Sequence, residues 1–177
     1  MKLNLYDILS VKGKRESYEA EFKKQQISFQ GEQLTVEGKE LFQIDLYHED
    51  KKLVHVNIDL IVIVTRLCSR CLEDVTREYA VSIERIINVA KNEAFTDKYD
   101  EFDEVSYIED CTLDVDMLIL DELYTILPMS IFCKEDCKGI CKVCGTNLNK
   151  STCDCDQNVP DPRMAVFSDI FNQFKEV

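Results

Sequence analysis

Residues 54–64 read Val54-His55-Val56-Asn57-Ile58-Asp59-Leu60-Ile61-Val62-Ile63-Val64, with an aliphatic side chain at every even position. A side-chain period of two marks a β-strand with one face on a core, and a row this long marks the strand around which a sheet is built. Upstream, Phe42, Ile44 and Leu46 alternate with Gln43, Asp45 and Tyr47, and Tyr18, Ala20 and Phe22 are set between Glu19, Glu21 and Lys23. Downstream, Val75, Tyr79, Val81 and Ile83 continue the pattern beyond a turn. Residues 17 to 86 therefore predict a mostly antiparallel, curled β-sheet. Between its last two strands lies Cys68-Ser69-Arg70-Cys71, which places a cysteine pair at or near a hairpin tip.

Beyond the sheet the composition changes. Residues 93 to 122 hold twelve acidic side chains against the single Lys98, and their opening part reads as an acidic loop. Met117, Leu120, Leu123, Tyr124 and Leu127 then recur at helical spacing until Pro128 stops them. Residues 129–160 carry few aliphatic or aromatic side chains and cannot build a core of their own. Asp161-Pro162 is an N-cap followed by proline at the first helical position, and Phe167, Ile170, Phe171 and Phe174 trace one apolar stripe. The expected fold is α+β: a sheet domain with acidic loop and helix over 1–128, a cysteine-rich zinc-binding lobe over 129–160, and a C-terminal helix over 161–177 that packs back on the fold. These are the two packing helices.

Nine cysteines among 177 residues set the chemistry. Cys133, Cys137, Cys141, Cys144, Cys153 and Cys155 cluster, Cys68 and Cys71 form the distant pair, and Cys111 stands alone as a small buried hydrophobe. Eight thiols divide into two tetrahedral sets of four, the ligand count of two structural zinc sites. In Cys141-Lys142-Val143-Cys144-Gly145 the glycine permits the left-handed turn that a two-cysteine knuckle needs. Cys141, Cys144, Cys153 and Cys155 can close locally at small entropic cost, leaving Cys68, Cys71, Cys133 and Cys137 as a long-range staple. The rival partition joins Cys68 and Cys71 to Cys141 and Cys144, and spacing alone does not exclude it. Zinc is expected over an iron–sulfur cluster, although the same ligands can hold iron.

Catalytic signatures are missing. Gly31 and Gly38-Lys39 lack the spacing and the hydroxyl of a phosphate loop, and His48-Glu49 is followed by Lys52 where a metalloprotease helix needs its second histidine. His48 and His55 are read as surface residues, no catalytic residue is assigned, and a non-enzymatic role is expected. Asn4 and Asp7 interrupt any secretory signal, and the longest apolar run, Leu60 to Val64, is too short to span a bilayer. With clustered free thiols this points to a cytoplasmic protein with no membrane partner.

The blocks Cys68-Ser69-Arg70-Cys71-Leu72-Glu73, Leu127-Pro128-Met129, and Cys133 through Asn149, followed by Asp161-Pro162-Arg163, resemble the YceD family of large ribosomal RNA subunit accumulation proteins. The resemblance implies a role in 23S ribosomal RNA production, processing or stability during large-subunit biogenesis. Partners would be a large-subunit precursor, its 23S RNA, or a ribosomal or processing protein. Lys134, Lys138, Lys142 and Lys150, with Arg66 and Arg70, are the candidate RNA-facing charges. The same cations can instead offset the net charge of -2 on each four-thiolate zinc centre. An alternative is a zinc-stabilised interaction module whose acidic segment docks a basic ribosomal or processing protein.

The formal charge of -13 excludes a non-specific RNA coater. Two filled zinc sites would take it to about -17. Most of the excess sits in residues 93–122, so the remainder of the chain is nearly balanced and a lysine-bearing lobe can touch RNA locally.

Overall fold

The computed structural model describes residues 1–50, 52–89, 93–95 and 107–156. In chain order the elements are β1 (Lys2–Asn4), α1 (Tyr6–Leu9), β2 (Arg15–Ala20), β3 (Gln25–Phe29), β4 (Glu32–Gly38), β5 (Phe42–His48), β6 (Leu53–Leu67), β7 (Asp74–Asn88), β8 (Glu93–Phe95), β9 (Ile108–Glu109), β10 (Thr112–Asp114) and α2 (Val115–Ile126). Contacts divide the chain into two compact units, Met1–Arg66 with Asp74–Ile131, and Leu67–Glu73 with Phe132–Val177.

The first unit is built on β6. Its inward row from Val54 to Val64 is at most 7% exposed, as the alternation requires. β5 runs antiparallel along its first half, from His48 opposite Val54 to Ile44 opposite Ile58, and β4 along its second, from Gly38 opposite Val62 to Thr35 opposite Thr65. β2 pairs with β5, β3 with β4, and β7 with β6 and β8, giving a seven-stranded sheet that does not close. Where β4 gives way to β5, the Gly38 amide donates to Phe22 O at 2.9 Å, and a Cβ there would come within 3.0 Å of the same oxygen. That close approach is why a glycine stands at the break.

α2 lies where helical spacing predicted it. Asp114 caps it, its carboxylate accepting the Met117 amide at 3.3 Å. Val115, Leu118, Ile119 and Leu123 are buried in the same apolar cluster as Leu34, Val36, Ile44, Leu46 and the β6 row. Arg85 on β7 pairs with Glu122 on α2 at 2.9 Å.

Several features depart from the sequence reading. The opening of the acidic stretch is not all loop, since 93–95 form β8 and β9 and β10 join β1 in a separate three-stranded sheet. The one-turn helix α1 was not anticipated. His48 is not a surface residue: it is 7% exposed, with Nδ1 2.9 Å from Val11 O. The helix expected over 161–177, with Phe167, Ile170, Phe171 and Phe174, lies outside the described residues, as does most of the acidic run from 96 to 106. No helix among the described residues is long and apolar enough to cross a membrane.

Candidate metal centre

The second unit begins where β6 ends. Residues 67–73 form the connection to β7, with Cys68 donating its amide to Glu73 O at 2.8 Å and Leu72 donating to Cys68 O at 3.0 Å. The cysteine pair therefore sits at the hairpin tip, as the sequence implied. The segment 141–146 repeats the pattern atom for atom: Cys141 N donates to Thr146 O at 2.8 Å and Gly145 N to Cys141 O at 2.9 Å. In both, the amide two residues on points at the first sulfur, Arg70 N at 3.5 Å from Cys68 Sγ and Val143 N at 3.4 Å from Cys141 Sγ. These are two copies of one knuckle, closed by a left-handed residue after the second cysteine, Leu72 at φ 60° and Gly145 at φ 73°.

Four sulfurs gather at each knuckle. Cys68, Cys71, Cys133 and Cys137 form one group and Cys141, Cys144, Cys153 and Cys155 the other, the sulfurs of each lying within 4.8 Å of one another. This is the partition with one locally closed set; the rival, which joins both knuckles, is excluded by these positions. A zinc ion with Zn–S bonds of about 2.3 Å holds its sulfurs about 3.8 Å apart. Cys68 and Cys137 are 3.9 Å apart and Cys71 and Cys133 3.6 Å, so the donor set fits a tetrahedral thiophilic cation.

Hydrogen bonds to sulfur favour thiolates. Burial pushes the Cys68 thiol up, but the backbone N–H groups of Cys71, Arg70 and Cys133 outweigh it and bring the group down to about 6. The Thr146 hydroxyl, 3.1 Å from Cys144 Sγ, and the Thr146 amide likewise hold Cys144 at about 6. Burial and the neighbouring sulfurs push Cys133 up to about 12, and Cys144 with burial does the same to Cys155. Four crowded thiols cannot all ionise without a cation among them, which is why each set divides into lowered and raised members.

The two sites differ in exposure. Cys68, Cys71 and Cys137 are buried, whereas in the other group Cys141 alone is and Cys144 is exposed. Asn149 Nδ2 donates to Cys137 Sγ at 3.3 Å, and its Oδ1 accepts the Lys138 amide at 2.9 Å. Asn149 is a sulfur-supporting residue that spacing alone did not reveal. Gly139, at φ 77°, lets Arg70 O come within 3.0 Å of where its Cβ would stand.

Lys134, Lys138, Lys142, Lys150 and Arg70 are all exposed. Lys150 pairs with Glu73, and Lys134 with Asp136 at 3.8 Å. Arg70 donates to Cys137 O at 3.1 Å and lies over Phe132, 4.4 Å from the ring centroid. Arg66 is the exception and corrects the expectation of an outward charge. It is 5% exposed, its guanidinium donating to Glu32 at 2.6 Å and to Pro128 O at 2.9 Å. The signal was present, because Arg66 continues the inward parity of Val62 and Val64, and His48 that of Ile44 and Leu46. Cys111 is half-buried against the apolar cluster.

A family model described as large ribosomal RNA subunit accumulation protein YceD matches residues 56–171, a span that takes in all eight clustered cysteines. The chain belongs to the YceD family. Among relatives of this YceD chain, an uncharacterised protein of Mycobacterium tuberculosis is 36% identical over 81 residues, covering 46% of this chain and 38% of that protein. The chain thus spans well under two thirds of that relative. YlbN of Bacillus subtilis, also uncharacterised, is 28% identical over 110 residues, 62% of this chain and 61% of its own. The chloroplastic large ribosomal RNA subunit accumulation protein YCED homolog 1 of Arabidopsis thaliana is 30% identical over 64 residues, 36% of this chain and 20% of that protein. No solved structure matches this member of the YceD family.

Proposed function

We propose that this chain is a non-enzymatic, cytoplasmic accessory factor for the accumulation of large-subunit ribosomal RNA, acting on 23S RNA processing or stability through a zinc-braced lobe. Membership of the YceD family carries the reading. Cys68, Cys71, Cys133 and Cys137 would hold one zinc ion and Cys141, Cys144, Cys153 and Cys155 the other. Bound zinc supplies cross-linking and charge neutralisation. The residues do the rest: the two knuckles fix Arg70 and Lys142 on rigid turns, and the exposed Lys134 and Lys138 lie between the ligands. These are the side chains that would meet a phosphate backbone.

Depletion of the protein should lower 23S RNA relative to 16S RNA, and the tagged chain should sediment with large-subunit precursors. Unchanged 23S levels together with absence from such particles would sink the proposal. Metal content is a separate matter: Cys153→Ser should release one metal ion and leave the Cys68 site filled. Loss of both ions would contradict independent sites.

A further inference from the structure

α2 is apolar on two opposite sides. Val115, Leu118, Ile119 and Leu123 face the core. Met117, Leu120 and Tyr124, at i, i+3 and i+7, fall on the far side of the helical wheel. There Met117 is 47% exposed and Tyr124 37%, the Tyr124 ring stacking on Phe29 at 5.8 Å and Leu120 half-buried against the core cluster. A helix apolar all round normally has both faces covered. The outer stripe borders a cleft of about 190 Å³, lined by Tyr107, Met117, Leu120, Asp121 and Tyr124. Tyr107 and Met117 also line an adjoining cleft of about 90 Å³ that reaches Glu109 and Asp114.

Charge selects the occupant. Asp116 and Asp121 flank the stripe on either side, and α2 carries no basic residue. Asp121 accepts the Tyr107 hydroxyl at 2.5 Å and Asp116 pairs with the N-terminal ammonium, so both carboxylates are held in place. Lys2, paired with Glu109 at 3.3 Å, is the single cation among the residues lining the two clefts. With Asp116 answered by the ammonium and Glu109 by Lys2, Asp114 and Asp121 leave the rim net negative, which repels a nucleic-acid backbone and suits a helix whose apolar stripe is bordered by lysine or arginine.

We propose that the outer face of α2 docks a basic amphipathic helix of a partner protein. The three turns of α2 match about three turns of such a helix. The proposal deepens the reading given above, since it assumes that the chain works among the basic proteins of the large subunit, and it names a protein rather than RNA as the partner of this face.

The probe is a fluorescein-labelled leucine–lysine peptide of about five helical turns, its leucines at i, i+3, i+4 and i+7. A leucine–glutamate peptide of the same pattern is the control. Anisotropy titration of the metal-loaded full chain should give saturable binding of the lysine peptide alone. Met117→Glu decides whether the apolar seat matters. It adds negative charge, so non-specific attraction of a cationic peptide would strengthen, whereas docking on the stripe should weaken at least about fivefold. Met117→Gln, with the same loss of apolar contact and no charge, should weaken binding similarly and serves if the glutamate variant misfolds. Unchanged or tighter binding by these variants overturns the proposal. So does self-association of the wild-type chain abolished by Met117→Glu, which would assign the face to a second copy, or loss of RNA-oligonucleotide rather than peptide binding. No ribosome enters the assay, so a negative result alongside 23S loss on depletion removes this docking site and leaves the proposed role standing.

Discussion

Leu72 and Gly145 hold the same place in two knuckles, and the conformation suits only the glycine. A left-handed residue other than glycine costs about 1–2 kcal/mol, and Leu72, 57% exposed, recovers little of that through packing. Leu72→Gly should leave metal content unchanged and raise the stability of the loaded protein by up to about 1 kcal/mol, the relief being partly offset by a freer unfolded chain. Thermal unfolding of the zinc-loaded chain checks this, and a lower Tm would show that Leu72 makes contacts that matter. Gly139 has no such freedom. Gly139→Ala combines a positive φ with a clash on Arg70 O and should weaken metal retention at the Cys68 site, while leaving the Cys141 site occupied. Sequence spacing picked out the eight cysteines that the structure gathers into two sets of four, because thiolate sites demand short loops. It did not reveal Leu72, because nothing in the residue type announces a left-handed backbone.

The elements read from period-two alternation, β2, β5, β6 and β7, are those whose apolar rows are long enough to stand above chance. Two inward side chains were missed for a physical reason. Arg66 and His48 extend those rows with polar residues, and a row ends on paper where its apolar residues end. In the fold, Arg66 continues inward because Glu32 and Pro128 O satisfy it, with the Phe29 ring centroid 5.7 Å from its guanidinium carbon. Arg66→Ala should cost about 3 kcal/mol, since it removes the buried guanidinium from its ion pair with Glu32 and takes the donor from the Pro128 carbonyl. A loss well under 1 kcal/mol in urea unfolding would mean that water replaces the guanidinium. Asp114→Ala, which removes the α2 cap, should cost about 1 kcal/mol. β1, β9 and β10 are two or three residues each, and β1 pairs with a segment more than a hundred residues away. Such strands exist through tertiary pairing alone and carry no local signal.

At the scale of the whole molecule the two units are held by different forces. Among the described residues, every member of the apolar core cluster belongs to the first unit. In the second, the only buried apolar side chains among the described residues are Cys68, Cys71, Cys137 and Cys141. Where the buried side chains are the cysteines that could hold a metal, folding of those described residues is coupled to its binding. Acid should oppose that. Cys133 and Cys155, at about 12, keep their protons without metal and lose them to it. The loaded state therefore binds fewer protons, and affinity falls as pH falls. Zinc release followed with a chromogenic chelator from about pH 8 to about pH 5 should begin at the more exposed Cys141 site. The most direct measurement joins metal analysis to amide hydrogen exchange before and after chelation. Two ions per chain are expected, and on their removal a loss of protection confined to residues 67–73 and 132–156 while β6 and β7 stay protected. Fewer than two ions, or protection in the cysteine segments that survives chelation, would contradict that expectation.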